Sequence, residues 1–129
     1  MPIQFPASVP NDFPSQRQLM WSKSERTIAR SAFDHALNQE LQEVIQQAKR
    51  MASEIKQASQ LWDLEEYLKQ RRKEINRKYE YRASRLITVF GTLLHEGLIT
   101  AHDLRGLQDD KLGAIRRDAD FLSSRDEAS

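Results

Sequence analysis

An all-α fold, two long helices forming a stalk beside a small helical head, is what this sequence predicts, on three observations. No proline follows Pro14, so nothing of that kind interrupts a helix over the rest of the 129 residues. Leu37, Leu41, Val44, Ala48, Met51, Ile55, Ala58 and Trp62 recur at alternating steps of four and three, the a/d pattern of a helical packing seam. The stretch 61–82 places Leu61, Leu64, Leu68, Arg71, Ile75 and Tyr79 at three- or four-residue steps, one narrow apolar stripe on a surface otherwise covered in charge.

Residues 1–20 are rich in Pro, Ser, Asn and Gln without a period, which predicts a disordered tail with Phe5 and Phe13 as incidental aromatics. Helix begins at Ser22, because the spacing of Ser22 and Glu25 fits a capping box. Ile28, Ala29, Ala32, Phe33 and Ala36 then give a broad face whose small residues permit close helix approach. A stalk is predicted over 21–79. Within it Ser59 marks a possible break, where one helix ends and the next is capped; a continuous helix is the alternative. About 35 residues without a breaker make a helix of roughly 50 Å, too long for a lone compact globule, so the seam of Leu37, Leu41, Val44, Ala48, Met51 and Ile55 predicts a homodimer. A helical head is predicted over 80–117, with Gly97 ending one helix and the Thr100/Asp103 pair capping the next; fraying is expected over 118–129.

The formal charge is +1, from 20 basic and 19 acidic side chains, so no global field draws the chain to nucleic acid or an anionic membrane. Absence of Cys removes disulfides and thiolate chemistry. The apolar run near Leu86 to Leu94 is too short for a bilayer, and the N-terminus lacks a secretory pattern, so a soluble cytoplasmic protein is expected.

Chemistry-bearing constellations are sparse. Glu65 and Glu66 point about 100° apart on a helix and do not converge as an acid/base pair should. His35, His95 and His102 lack metal-ligand spacing, and no phosphate loop or nucleophile elbow is present, so neither enzyme activity nor a cofactor is expected. Seven bases fall within 71–85 with Tyr79 and Tyr81 among them, yet Glu74 and Glu80 interrupt the run; a partner-facing helix is favoured over a nucleic-acid site. Trp62, beside acids and ten residues before Arg72, has the composition of a protein-interface anchor, or else fills the dimer seam. From residues alone the chain reads as a helical protein that binds a protein partner, an adaptor or scaffold, with nucleic-acid binding through 71–85 as the alternative.

The blocks Trp62-Asp-Leu-Glu-Glu-Tyr-Leu68, Arg72-Lys-Glu-Ile75, Lys78-Tyr79-Glu-Tyr-Arg82, Leu93-Leu-His-Glu-Gly-Leu98 and Leu104 through Leu112, with Trp21-Ser22 and Ala32-Phe33 before them, together resemble the cyanobacterial fluorescence recovery protein family over residues 21–117. The resemblance implies a dimeric, all-helical, non-enzymatic protein that binds the orange carotenoid protein, through its C-terminal domain, and speeds return of its red form to the orange form, ending quenching at the phycobilisome. It also implies a cytoplasmic location, peripheral to thylakoids. By position, Trp62 and Arg72 match family residues tied to dimer integrity and activity. Glu66 stands where the family has Asp, and Glu65 where members often have His. Thr88 stands where a docking Phe is expected, with Phe90 retained two residues on as a second contact.

Overall fold

The computed structural model describes residues 20–128; the expected tail with Phe5 and Phe13 lies outside them. Four α-helices follow in order: α1 (Lys23–Ser53), α2 (Ala58–Lys78), α3 (Leu86–His95) and α4 (Asp109–Ala128), with short 3-10 turns at Ala83–Arg85 and Ala101–Leu104 and no strand among the described residues. The all-α expectation holds.

Local chemistry sets most boundaries where the sequence put them. Ser22 Oγ accepts from the Glu25 N–H at 3.1 Å while Glu25 Oε1 accepts from the Ser22 N–H at 3.0 Å, closing the capping box of α1. At the end of α3, Gly97 takes φ 77°, and the N–H groups of Gly97 and Leu98 donate to the carbonyls of Leu94 and Leu93 at 3.2 and 2.9 Å. This 5→2 and 6→1 pair is a Schellman stop, and it needs the left-handed residue that glycine supplies. Thr100 and Asp103 bond reciprocally, the Thr100 N–H to Asp103 Oδ2 at 2.8 Å and the Asp103 N–H to Thr100 Oγ1 at 3.3 Å.

Two boundaries differ from expectation. The break in the stalk falls at 54–57, ahead of Ser59, because the Gln60 side-chain oxygen accepts from the N–H groups of Lys56 and Gln57 at 2.6 and 3.0 Å. An amide, two turns past the end of α1, does the capping that a hydroxyl was expected to do. Over 118–128 the expected fraying is not found: α4 runs to Ala128, held to the end of α3 by His95, whose Nε2 lies 2.7 Å from Asp126 Oδ2 and Nδ1 3.2 Å from Ser123 Oγ.

The core joins the head to the first half of α1. Trp21, Ala29, Ala32, Phe33 and Ala36 pack with Leu86, Val89, Phe90, Leu93, Ile99, Leu104, Leu107 and Ile115. The alanines at 29, 32 and 36 let the head approach the α1 backbone closely, and burial of this set supplies most of the hydrophobic stabilisation, at roughly 25 cal/mol per Å² of apolar surface. α3 and α4 pack against each other so tightly that a Cβ on Gly91 would lie 2.6 Å from Asp118 Cβ. Gly91→Ala is therefore expected to destabilise by about 1–3 kcal/mol through overpacking, read as a lower Tm in thermal unfolding; an unchanged Tm would show that α4 shifts freely.

Candidate protein-interaction site

α2 turns back antiparallel along the second half of α1, and one buried carboxylate fixes the crossing. Glu40, with a side chain only 4% exposed, lies 2.9 Å from Arg71 Nη2, 2.9 Å from Lys78 Nζ and 2.9 Å from the Tyr79 hydroxyl, which donates to it. Lys78 also reaches Glu96 on the far side at 2.6 Å, so a single chain of charges ties α1, α2 and the end of α3. Burial alone would raise the Glu40 pKa; the bonds from Lys78, Tyr79 and Arg71 outweigh it and hold the carboxyl below its ordinary value. Burial and then the bond to Glu40 push the Tyr79 phenol well up, so it stays a donor. Charges around this node line a cavity of about 660 Å³ with Glu43, Glu74, Arg77 and Arg85, and the acids and bases in it balance.

Phe33 anchors the linker after α2. Its ring meets Tyr79 and Tyr81 edge-on at centroid distances of 5.4 and 5.0 Å, and Arg30 lies over Tyr81 at 4.5 Å. The base-rich run 71–85 is thereby largely consumed within the fold: Arg71 and Lys78 turn onto Glu40, and Arg82 and Arg85 lie 3.1 and 3.4 Å from Glu80. A continuous phosphate-binding stripe is not what this arrangement presents.

The apolar rows of the stalk divide between the two sides of the hairpin. Val44, Ala48 and Met51 on α1, Ile55 in the bend after it, and Leu64, Tyr67 and Ile75 on α2 are half-buried within the chain itself. This corrects the expectation that the whole seam awaits a twin: α2 partly covers it, because the antiparallel turn brings the two stripes together. Leu37 packs against the head core. What is left bare is Leu41 and Ile45 on α1, 40% and 42% exposed, and Leu61, Trp62 and Leu68 on α2, with Trp62 60% exposed. Helical periodicity sets Leu61, Glu65, Leu68 and Arg72 in one row, with Trp62 and Glu66 in the next. Glu65, Glu66 and Arg72 are exposed, and Glu66 accepts from Gln70 Nε2 at 2.9 Å. Four of the five anticipated partner-binding residues, Trp62, Glu65, Glu66 and Arg72, thus lie on exposed rows of α2; Phe90 does not.

Phe90 is a correction. It has no exposed surface, lies in the centre of the head and faces Trp21 at a centroid distance of 6.5 Å. The reason is register: Leu86, Val89, Phe90 and Leu93 form the inner row of α3, and Thr88, one position off it, is the exposed residue. Buried anions were the features that sequence reasoning missed. Glu25 and Glu40 sit at the two ends of the row Glu25, Ala29, Ala32, Ala36 and Glu40, and an acid in apolar register was the available signal. Among the described residues no group of three or more His, Cys, Asp or Glu side chains is arranged to hold a metal ion, and no helix is long and apolar enough to cross a membrane.

Comparison with known proteins agrees with this architecture. Residues 21–119 match the family described as "Photoprotection regulator fluorescence recovery protein". The fluorescence recovery protein of Synechocystis sp. (strain ATCC 27184 / PCC 6803 / Kazusa) is 38% identical over 96 residues, covering 74% of this chain and 88% of that protein. The solved fluorescence recovery proteins of Fremyella diplosiphon and Synechocystis sp. PCC 6803 superpose with a TM-score of 0.74 each, at 35% and 38% identity, covering 78% of this chain and 98% of theirs. With the fold and most of its length in common, this chain belongs to the fluorescence recovery protein family of photoprotection regulators.

Proposed function

We propose that this chain acts as a homodimer that binds the photoactivated orange carotenoid protein, through that protein's C-terminal domain, and accelerates its return from the red to the orange form. Family membership supports the client; the observation that carries the binding role is the exposure of five large apolar side chains on the two stalk helices, Leu41, Ile45, Leu61, Trp62 and Leu68. Large apolar side chains exposed among charged ones are stabilised when a partner removes them from water. Trp62, Glu65, Glu66 and Arg72 sit among or beside them and organise the dimer and its contact surface. Acceleration without chemistry requires differential affinity: the regulator must bind a conformation on the way to the orange form more tightly than the red form it first meets.

The test is dark recovery of the photoconverted carotenoid protein, followed by absorbance, with and without the purified chain. Faster red-to-orange return is expected; an unchanged rate at molar excess removes this client. A second reading is favoured by one observation, the exposed Thr88 and buried Phe90, which leave the outer face of α3 without an aromatic anchor. In that reading the chain is a dimeric helical adaptor of the same family with another protein client, and a dimer that fails to change recovery is its expected result.

A further inference from the structure

The base-rich run 71–85 turns most of its cations onto acids within the fold, but those at the start of α1 stay outside it. Lys23, Arg26 and Arg30 recur at steps of three and four on the outer face of α1, and with Thr27 and Ser31 they line an open groove of about 530 Å³. Among the described residues no acid lines it; Asp34, one turn beyond Arg30, closes its far end, 3.3 Å from Arg30 Nε. Three cations facing one acid leave a local excess larger than the +1 of the whole chain.

Both guanidinium groups are fixed before anything binds. Arg26 Nη1 donates to the Trp21 carbonyl at 2.7 Å, while Arg30 is held by Asp34 and over the Tyr81 ring at 4.5 Å. Each keeps N–H groups that bond nothing among the described residues. A long cationic side chain ordinarily loses rotamer freedom when it grips a ligand, and here that loss is already taken in folding. Placement also runs against stability: Lys23 and Arg26 stand in the first turn of α1, the positive end of the helix, where a cation is disfavoured. Fixed cations at a position that folding does not favour point to an anion that binds there.

We propose that this groove docks an acidic helical segment of a partner protein, whose carboxylates, at steps of three and four, meet Lys23, Arg26 and Arg30. The two arginines present forked donors that suit carboxylates. From Lys23 to Arg30 is about 10 Å along the axis, two turns, so a row of acids on a second helix keeps step with them. A phosphate group is a poorer fit, because the groove runs along the side of α1 and not over the backbone N–H groups at its tip. An anionic membrane is a poorer one still, because no apolar side chain lines the groove to enter it. This goes beyond the client-binding reading and does not rest on it: Leu41, the first of the exposed apolar residues on the stalk, lies about 16 Å further along α1.

Fluorescence anisotropy of the full chain with a labelled peptide tests it. The peptide is a helix of about 20 residues of Ala and Glu, with Glu at steps of three and four, and its control carries Gln for every Glu. The Glu peptide is expected to bind at least about tenfold more tightly than the Gln peptide, and to lose about tenfold in affinity between about 0.05 M and 0.5 M salt. Thr27→Glu sets a carboxylate in the middle of the groove, four residues after Lys23 and three before Arg30, and should weaken binding about tenfold without lowering Tm, since Glu suits the start of a helix. Lys23→Gln should weaken it about threefold, again with no loss of Tm. Equal binding of the two peptides overturns the proposal, and so does unchanged binding by Thr27→Glu with Tm intact. Inorganic phosphate, or vesicles of anionic phospholipid, bound more tightly than the Glu peptide and released by Thr27→Glu would put a phosphate in place of the protein acid and overturn it. A dimer that Thr27→Glu dissolves in light scattering would make the occupant a second copy and overturn it likewise. Should Thr27→Glu lower Tm, Lys23→Gln, which removes only an exposed charge, decides alone.

Discussion

Glu25→Ala is expected to lower the free energy of unfolding by about 3 kcal/mol, read in urea titration and as a drop in Tm, with near-native secondary structure at low temperature. The carboxylate is 2% exposed and completes three structures at once. It caps α1 through the Ser22 N–H, accepts from the Gln108 N–H at 2.8 Å and lies 3.1 Å from Lys111 Nζ, thereby pinning the start of α4 to the start of α1. Removing it leaves a buried ammonium whose remaining acid is Asp110 at 3.3 Å, itself half exposed. That residual pairing places the loss near the lower end of the range for broken buried pairs. Burial would raise the Glu25 pKa, but the Ser22 and Gln108 amides together with Lys111 outweigh it, taking it from 4.5 to about 2. A pKa depressed on folding stabilises above the unfolded value and loses that contribution as pH falls through the folded one. The stability gap between wild type and Glu25→Gln should therefore be full above about pH 4.5 and close towards pH 2. A gap that stays constant across that window would show that the charge of Glu25 contributes nothing.

How much of this was legible before the coordinates depended on whether a signal was periodic. The helices, the Ser22 and Thr100 caps and the Gly97 stop follow from spacing and from residues with a single local use, and they appear where expected. The bend at 54–57 was only partly legible, because it has no breaker and its cap is a Gln that could serve equally on a helix surface. Phe90 was misplaced because two rows of α3 lie one residue apart, and only packing against Trp21 decides which faces in. The apolar stripe was legible but what covers it was not: a stripe states that something covers it, and periodicity cannot distinguish the returning helix of the same chain from that of a twin. Buried Glu25 and Glu40 were hidden by the habit of assigning acids to solvent, although their apolar register betrays them.

The same division of the seam makes its test sharper. Leu41→Glu with Leu68→Glu is expected to convert the proposed dimer to a 15.0 kDa monomer by light scattering while leaving the helical signal and Tm nearly unchanged. Both side chains are already about 40% exposed, so within one chain a surface charge there should change stability by less than about 0.5 kcal/mol. Between two chains the situation is different, since a two-fold interface repeats each new carboxylate and four of them must lose water without partners. Even a discounted total of about 4 kcal/mol weakens association roughly a thousandfold. Ile55 or Val44 would be poorer choices, because they are half-buried in the hairpin and a charge there damages α1 and α2 before it reaches any partner. Retention of the dimer by the double variant would assign the interface to another face. Loss of the dimer with recovery of the carotenoid protein still accelerated would mean that one copy carries the contact surface, and that Trp62 and Arg72 serve the client directly.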